Sequence, residues 1–470
     1  LVIILNVVIY LFFFNIKFLV NLKHCKLSFG CVSLSNTISF SQSRWRQCAK
    51  SVCRCDATRR SLNCWRSGFS TLTTDLVAPA DLLNIDLGTN KLRTLHKSTF
   101  KGMRSLVELD MFDNRVEYLP AGIFDALVNL RILRLQRNYL EEIDSDAFRL
   151  TKNLFHVDLS NNFLYTLPEK LFSNNSFLET VDISNNRVMY VPSDSFVGLD
   201  SLLILDLSKN KIQRIENGTF TLKTLQILKL SDNKISNISE KSFESLLSLE
   251  TLLLDHNKLQ NVPNLLFDSL ACLTFLDLSN NNLMSLSGVE FEKLKMLRTL
   301  DLKENALSEL PDLLFSNCSN LEKLDLSRNI LRFLNFTSFH GLENLTSLLL
   351  SENKLYEVHF KTFSTLRNLT TLYMDGNMFP SLPSRTFDFM PKLAIIWDYS
   401  PICVSPWFLE GHFLKKLKFP ELCSGQWASM VNLSPRLPIQ QLLALNVSVN
   451  RKPQDSMEQN HDVTTVDSWH

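Results

Sequence analysis

Asparagine recurs through this chain with a period of 24 residues. It stands at positions 90, 114, 138, 162, 186, 210, 233, 257, 281, 305, 329, 353 and 377, and every interval is 24 except the 23 between Asn210 and Asn233. Each Asn sits in the frame L-x-x-apolar-x-apolar-x-x-N-x-(mostly apolar), as in Leu202, Leu205, Leu207, Asn210 and Ile212. Ten residues after every Asn comes a Phe: Phe100, Phe124, Phe148, Phe172, Phe196, Phe220, Phe243, Phe267, Phe291, Phe315, Phe339, Phe363 and Phe387. A period of this length means like units stacked in a row, each too small to bury its own apolar face and completed by its neighbours. The array runs from about Leu82 to Lys392, two-thirds of the chain. It replaces the roughly three domains that 470 residues would otherwise suggest. It also accounts for 33 Phe against 8 Tyr, one slot being refilled with one side chain.

The apolar-x-apolar alternation predicts a short strand with one face inward, and strands stacked in parallel about 4.8 Å apart form one continuous sheet. The Asn column falls at the turn leaving the strand, where an amide carrying both donor and acceptor can satisfy backbone groups that the bend leaves unpaired. In six units Pro follows the Asn by six residues, at Pro120, Pro168, Pro192, Pro263, Pro311 and Pro383, which predicts irregular returns and not long helices. The Phe column is expected to pack as a spine between the sheet and the return side.

On these residues the chain resembles the typical subfamily of extracellular leucine-rich repeat proteins, found in Slit-like, connectin-like and acid-labile-subunit-like proteins and in Toll-type ectodomains. The likeness covers about residues 48–423. It implies an α/β solenoid: a leucine-rich repeat horseshoe with a concave parallel β-sheet, an irregular convex side and disulfide caps. It also implies a protein ligand on the concave sheet and no catalysis. The corresponding organisation is a hydrophobic leader or signal anchor at 1–22, a linker at 23–47, a cysteine-rich N-terminal cap at 48–81, thirteen repeats at 82–392, a reduced C-terminal cap at 393–423 and a polar tail at 424–470.

The spacing C-x4-C-x-C-x8-C of Cys48, Cys53, Cys55 and Cys64 lies directly before the first repeat. Its likeness to the family's N-terminal cap implies the pairs Cys48–Cys55 and Cys53–Cys64; a zinc site is the alternative. After the last repeat the family expects C-x-C and two later cysteines, whereas this chain has Cys403, Ser405 in the second slot, Cys423 and no fourth. A single Cys403–Cys423 bridge is the coherent reading. Cys272 and Cys318 belong to units two repeats apart, roughly 10 Å by stacking and beyond disulfide reach. Both are expected to be free, buried, small hydrophobes, Cys318 in a slot that most units fill with Leu. Cys25 and Cys31 lie in the leader region.

Residues 1–22 are almost wholly apolar and are followed by Lys23, His24 and Lys26, which reads as a secretory leader, with a signal anchor or mistranslated upstream sequence as alternatives. Nine N-x-[ST] acceptors occur, at Asn174, Asn217, Asn237, Asn317, Asn335, Asn344, Asn368, Asn432 and Asn446; none of the seven in the array falls on an outward strand position. After Cys423 the polar tail is expected to be mostly disordered, and Ile439–Val449 is too short and polar to span a membrane.

With 49 Lys+Arg against 48 Asp+Glu, the composition supplies no field for nucleic acid, and a membrane enters only through residues 1–22. There is no H-E-x-x-H, no G-x-S-x-G and no phosphate loop, and the nine His have no metal-ligand spacing. No catalytic residue, metal or cofactor is expected. One column of outward strand positions is acidic: Asp86, Asp110, Asp158, Asp182, Asp206, Asp277, Asp301 and Asp325. It reads as the ordinary strand consensus with solvated carboxylates, or as a strip for a basic ligand or calcium. In mid-array the outward positions turn apolar, at Leu203, Ile204, Ile227, Leu253 and Phe275, as on a protein-binding hot spot. The cluster Arg131, Arg134 and Arg137 competes less well, since Arg134 falls between Asp110 and Asp158 and relieves their repulsion.

The expected function is a secreted or cell-surface binding protein for adhesion, matrix or growth-factor ligands. A Toll-like innate immune receptor ectodomain is the alternative, and an intracellular scaffold a third.

Overall fold

The structure, a computed structural model, describes residues 52–72, 78–379, 383 and 386–397. It is built on one sixteen-stranded sheet in which each strand pairs with the strand of the next unit. The sheet opens with an antiparallel hairpin, Arg54–Asp56 against Ser61–Asn63. It then runs parallel from Asn84–Asp86 through thirteen repeat strands of three residues to Thr371–Tyr373, and ends on Ile395–Trp397. The last strand falls inside the segment that the sequence assigns to the C-terminal cap, so the stacking extends one coil past the final ladder Asn. Almost every repeat strand has a buried centre between two half-buried residues, as the alternation predicts. Among the described residues the returns contain turns and no helix, in keeping with the prolines. Three short parallel pairs form on the return side, Tyr118–Leu119 with Glu142–Ile143 being the first.

The Asn column is a continuous ladder. Asn210 Nδ2 donates to Leu207 O of its own turn and to Ile183 O of the preceding unit, both at 3.0 Å, while its Oδ1 accepts from Val188 N at 3.0 Å. The pattern recurs along the array. The first rung reaches the cap, with Asn90 Nδ2 donating to Cys64 O at 2.9 Å and Oδ1 accepting from Phe69 N at 3.0 Å. Every residue just before a ladder Asn has a positive φ, from Thr89 at 53° to Gly376 at 70°. This left-handed kink turns the chain out of the strand and aims the amide back across the stack.

Behind the sheet, the Leu and Ile positions are buried and the Phe column forms the spine. Phe100 through Phe363 are buried almost completely. Neighbouring rings stack, with centroids 5.5 Å apart between Phe148 and Phe172 and 6.4 Å between Phe267 and Phe291. The 23-residue unit does not tighten around Phe220. Its ring lies 6.1 Å from both Phe196 and Phe243, and Asn233 keeps its bonds to Leu207 O and Leu230 O. The missing residue falls in the surface turn between Phe220 and Leu222, where other units have F-x-x-L. A turn absorbs it without disturbing the interior.

In the cap, Cys53 and Cys64 form the expected disulfide, with Cα atoms 4.4 Å apart. This removes zinc from that pair. Cys55 is also disulfide-bonded; its expected partner Cys48 lies outside the described residues, as do Cys403 and Cys423. Cys272 and Cys318 are free. Cys318 is buried as expected, and burial pushes its thiol up to about 12. The expectation for Cys272 is corrected: it is exposed. Leu270 already fills the apolar slot of that turn, so Cys272 faces water.

The spine makes a direct test. Phe220 is 1% exposed, and truncating a buried Phe costs about 3–5 kcal/mol. Phe220→Ala should therefore lower the melting temperature by many degrees in a thermal unfolding scan. A change within one degree would contradict the packing described.

Candidate binding face

The parallel register sorts the solvent-facing side of the sheet into columns. Ile204, Ile227, Thr251 and Phe275 stand opposite one another in successive strands. Asp206, Lys229, Leu253 and Asp277 form the next column. Leu203 precedes the strand Ile204–Asp206 and belongs to a third. The mid-array apolar set is therefore not one strip. Ile204, Ile227 and Phe275 share a column with Thr251 between the last two, and Leu253 lies diagonally beside Phe275, within reach on the same face. All five apolar residues are half-buried rather than exposed, because adjacent strands cover part of each side chain. Lys229 Nζ sits 3.0 Å from Asp206 and neutralises the acidic rim on that side.

Two further apolar groups share this face and were not singled out from the sequence. Leu349 and Tyr373 continue the Asp325 column in the last two repeats. At the other end a shallow groove of about 690 Å³ is lined by Leu83, Val107, Arg131, Phe155 and Phe177 among others. Phe177 is 62% exposed, and the Arg131 guanidinium lies 5.5 Å from the Phe155 ring. A column tally could have found this groove, since Leu83, Val107, Arg131 and Phe155 recur at one repeat position. Arg134 approaches Asp110 at 3.7 Å as expected, but its closest partner is Glu108 and it makes no ion pair with Asp158. Arg131, Arg134 and Arg137 thus do not act together, because each faces a different partner.

No group of His, Cys, Asp and Glu among the described residues could hold a metal ion. Among them, no helix is long and apolar enough to cross a membrane.

The leucine rich repeat family profile matches overlapping segments that together span residues 113–396, more than half of the chain. The chain belongs to the leucine-rich repeat family. A leucine-rich repeat protein of Leptospira interrogans superposes with a TM-score of 0.64 at 27% identity, over 80% of this chain and 90% of that one. A chain from the glycosylated Drosophila Toll–Spatzle complex also gives 0.64, at 23% identity over 74% of this chain and 49% of that one. The present chain therefore spans about half the length of that match. No curated protein matches it in sequence.

In this leucine-rich repeat array the Asp column is a structural device of the turn. All eight carboxylates accept a hydrogen bond through Oδ1 from the backbone N–H two residues on, at 2.8–3.0 Å. They are not solvated as expected. Asp325 is buried, at 6% exposure, and the others are half-buried. Burial raises Asp110, Asp182 and Asp277 above the usual carboxylate range. Asp301 is pushed up to about 6, first by burial and then by repulsion from Asp325 and Asp277 in the flanking strands. Desolvation also lowers His156, against the pull of Asp158.

A carboxyl whose folded pKa is raised binds protons more tightly in the folded state. Its stabilisation is complete below the unfolded value near 4 and is lost as pH rises through about 6. Asp301→Asn keeps the turn acceptor and removes the charge. The fall in unfolding free energy between about pH 5 and 7 should then shrink by about 1 kcal/mol, allowing for the water that reaches this face. Identical pH slopes from denaturant titrations would contradict the coupling of Asp301 to its neighbours.

Proposed function

We propose that this chain is a secreted or cell-surface leucine-rich repeat protein of the typical subfamily that binds a protein ligand through its concave sheet. The observation that carries the reading is the interruption of a polar, turn-forming sheet face by Ile204, Ile227, Leu253 and Phe275 in neighbouring strands. The fold does not call for apolar groups at these outward positions, which carry Asn84, Glu108, Thr180, Thr299 and Lys323 elsewhere in the array. Aliphatic and aromatic side chains there add nothing to the core, whose inward positions are already filled. Such a patch, rimmed by carboxylates, has the make-up of a hot spot.

The Cys53–Cys64 bridge supports an oxidising compartment. So do exposed acceptor asparagines at Asn174, Asn217, Asn237 and Asn317, all off the strand face. Asn344 and Asn368 donate to backbone carbonyls, and Asn335 is bound up with Asp312 and Thr337. On this reading residues 48–81 cap the array, residues 393–423 close it, residues 1–22 direct export or anchor the chain, and residues 424–470 trail from it. A similar fold occurs in the Toll–Spatzle complex, a molecular hub in Drosophila development and innate immunity, which makes a Toll-like ectodomain the second reading.

Two experiments test the proposal. Loss of a native disulfide costs about 2–5 kcal/mol in small secreted domains, so Cys53→Ser should sharply reduce the amount of protein recovered from the medium of expressing cells. Full secretion would remove the support that the cap gives. With a partner captured from extracellular proteins by the full chain, Leu253→Asp combined with Phe275→Ala should weaken binding at least tenfold at an unchanged melting temperature. Unaltered affinity would move the site off this patch.

A further inference from the structure

The two positions flanking each ladder Asn lie on one lateral edge of the solenoid, outside both the sheet face and the core. From Thr89 to Lys258 these positions carry eight Lys or Arg and two Asp, whereas in the remaining five repeats they carry two of each sign. A chain with a net charge of +1 thus concentrates positive charge along part of one edge. The charge is not consumed locally. Lys91, Arg115, Arg187, Lys211, Lys234 and Lys258 make no ion pair with any described residue, in contrast to Arg328 farther along the same edge, which bridges Glu304 and Glu352.

Where the edge meets the N-terminal cap it is hollowed into a groove of about 580 Å³, lined by Arg66, Lys91, Arg115, Arg137, Tyr139 and Phe163, with Asp113 the one acidic residue in its wall. Arginine side chains here are braced on rings rather than on carboxylates. Arg66 lies 4.3 Å from the Trp65 ring, Arg137 5.4 Å from Phe112 and Arg187 4.2 Å from Phe163. A guanidinium that lies over a ring and is not taken up by a carboxylate keeps N–H groups free for an oxyanion. Tyr139 packs 5.7 Å from Phe163 and is 45% exposed, which leaves part of an aromatic face open between the cations.

We propose that this groove and the basic edge running on from it bind a linear sulfated polysaccharide. The edge averages one cation per repeat over these eight units, with none in the fourth and two in the sixth, and a repeat spacing of about 4.8 Å suits a polymer with closely spaced anionic groups. The open Tyr139 face suits the apolar face of a sugar ring between them. The proposal rests on the extracellular placement argued above, where sulfated glycans and not nucleic acids are the abundant polyanions. It does not depend on the concave patch.

The test uses the full secreted chain and a heparin dodecasaccharide at about 0.15 M salt. Lys91→Gln, Arg115→Gln and Arg137→Asn together should weaken binding at least tenfold without moving the melting temperature, Asn being at home in the left-handed backbone at position 137. Tyr139→Ser should weaken it about threefold, and Lys354→Gln, on the balanced part of the edge, should not. The Leu253→Asp, Phe275→Ala chain should bind heparin normally, so failure of the protein-ligand reading would leave this result intact. No binding by the wild type, equal loss from Lys354→Gln, or an unaffected triple variant would overturn the proposal. Tighter binding of single-stranded DNA of equal charge would overturn it in favour of a nucleic acid.

Discussion

The asparagine ladder is the constraint on which the rest of this structure depends. To leave a three-residue strand and return behind it, the chain takes a left-handed residue in every unit, a conformation that costs a non-glycine residue about 1–2 kcal/mol. Twelve of the thirteen such positions are not glycine. Against this cost each Asn supplies two donor bonds and one acceptor bond to buried backbone, as at Asn210. A typical bond contributes about 0.5–1.5 kcal/mol, and an unsatisfied buried group costs about 1–3 kcal/mol. The ladder therefore outweighs the kink, and it does so only because each amide bonds to the unit before it. Turn geometry and stacking are one interaction.

That coupling determines where variation is allowed. Ladder Asn, inward strand residues and the Phe spine are buried and shared between units, so a change at any of them is felt by its neighbours. Even the acidic column, which faces outward, is tied to the turn by its backbone bonds. What remains free is narrow: the outer strand positions, the residues beside the ladder and the exposed return turns. Both binding surfaces proposed for this chain fall in that free set, at Leu253 and Phe275 in the first case and at Lys91 and Arg115 in the second.

The fold was legible in the sequence because the period is exacting: one Asn and one Phe per unit give the strand, the turn and the spine without any three-dimensional knowledge. The 23-residue interval shows what spacing leaves open: two landmarks fix the length between them but not which of the intervening residues form the surface turn. Cys272 differs from expectation for a related reason, since whether a small hydrophobe is buried depends on Leu270 having taken the slot two residues earlier. The candidate site was legible as a set of residues but not as a shape. Leu203, Ile204 and Leu253 lie within a few positions of equivalent places in their repeats, and only the register assigns them to three separate columns. The groove at Phe155 and Phe177 was missed because its members are spread over five repeats and two columns.

Near-zero net charge also conceals a segregation that the repeat imposes. A residue type favoured at one position of the unit is copied every 24 residues, so a local preference becomes a line of charge across successive units. The Asp column arises in this way, and its cost is visible in Asp301, crowded by Asp277 and Asp325 and raised to about 6. Arg134 and Lys229 are the places where the line is broken by the opposite sign, each beside an Asp of the adjacent strand. On the ladder edge the turn tolerates many side chains, as Thr89, Lys209, His256 and Glu304 illustrate. Its run of cations therefore has no counterpart in the requirements of the fold, whereas the carboxylates do. Charge that the backbone uses and charge that it leaves unused are thus separated by face, and the second kind is where a ligand would act.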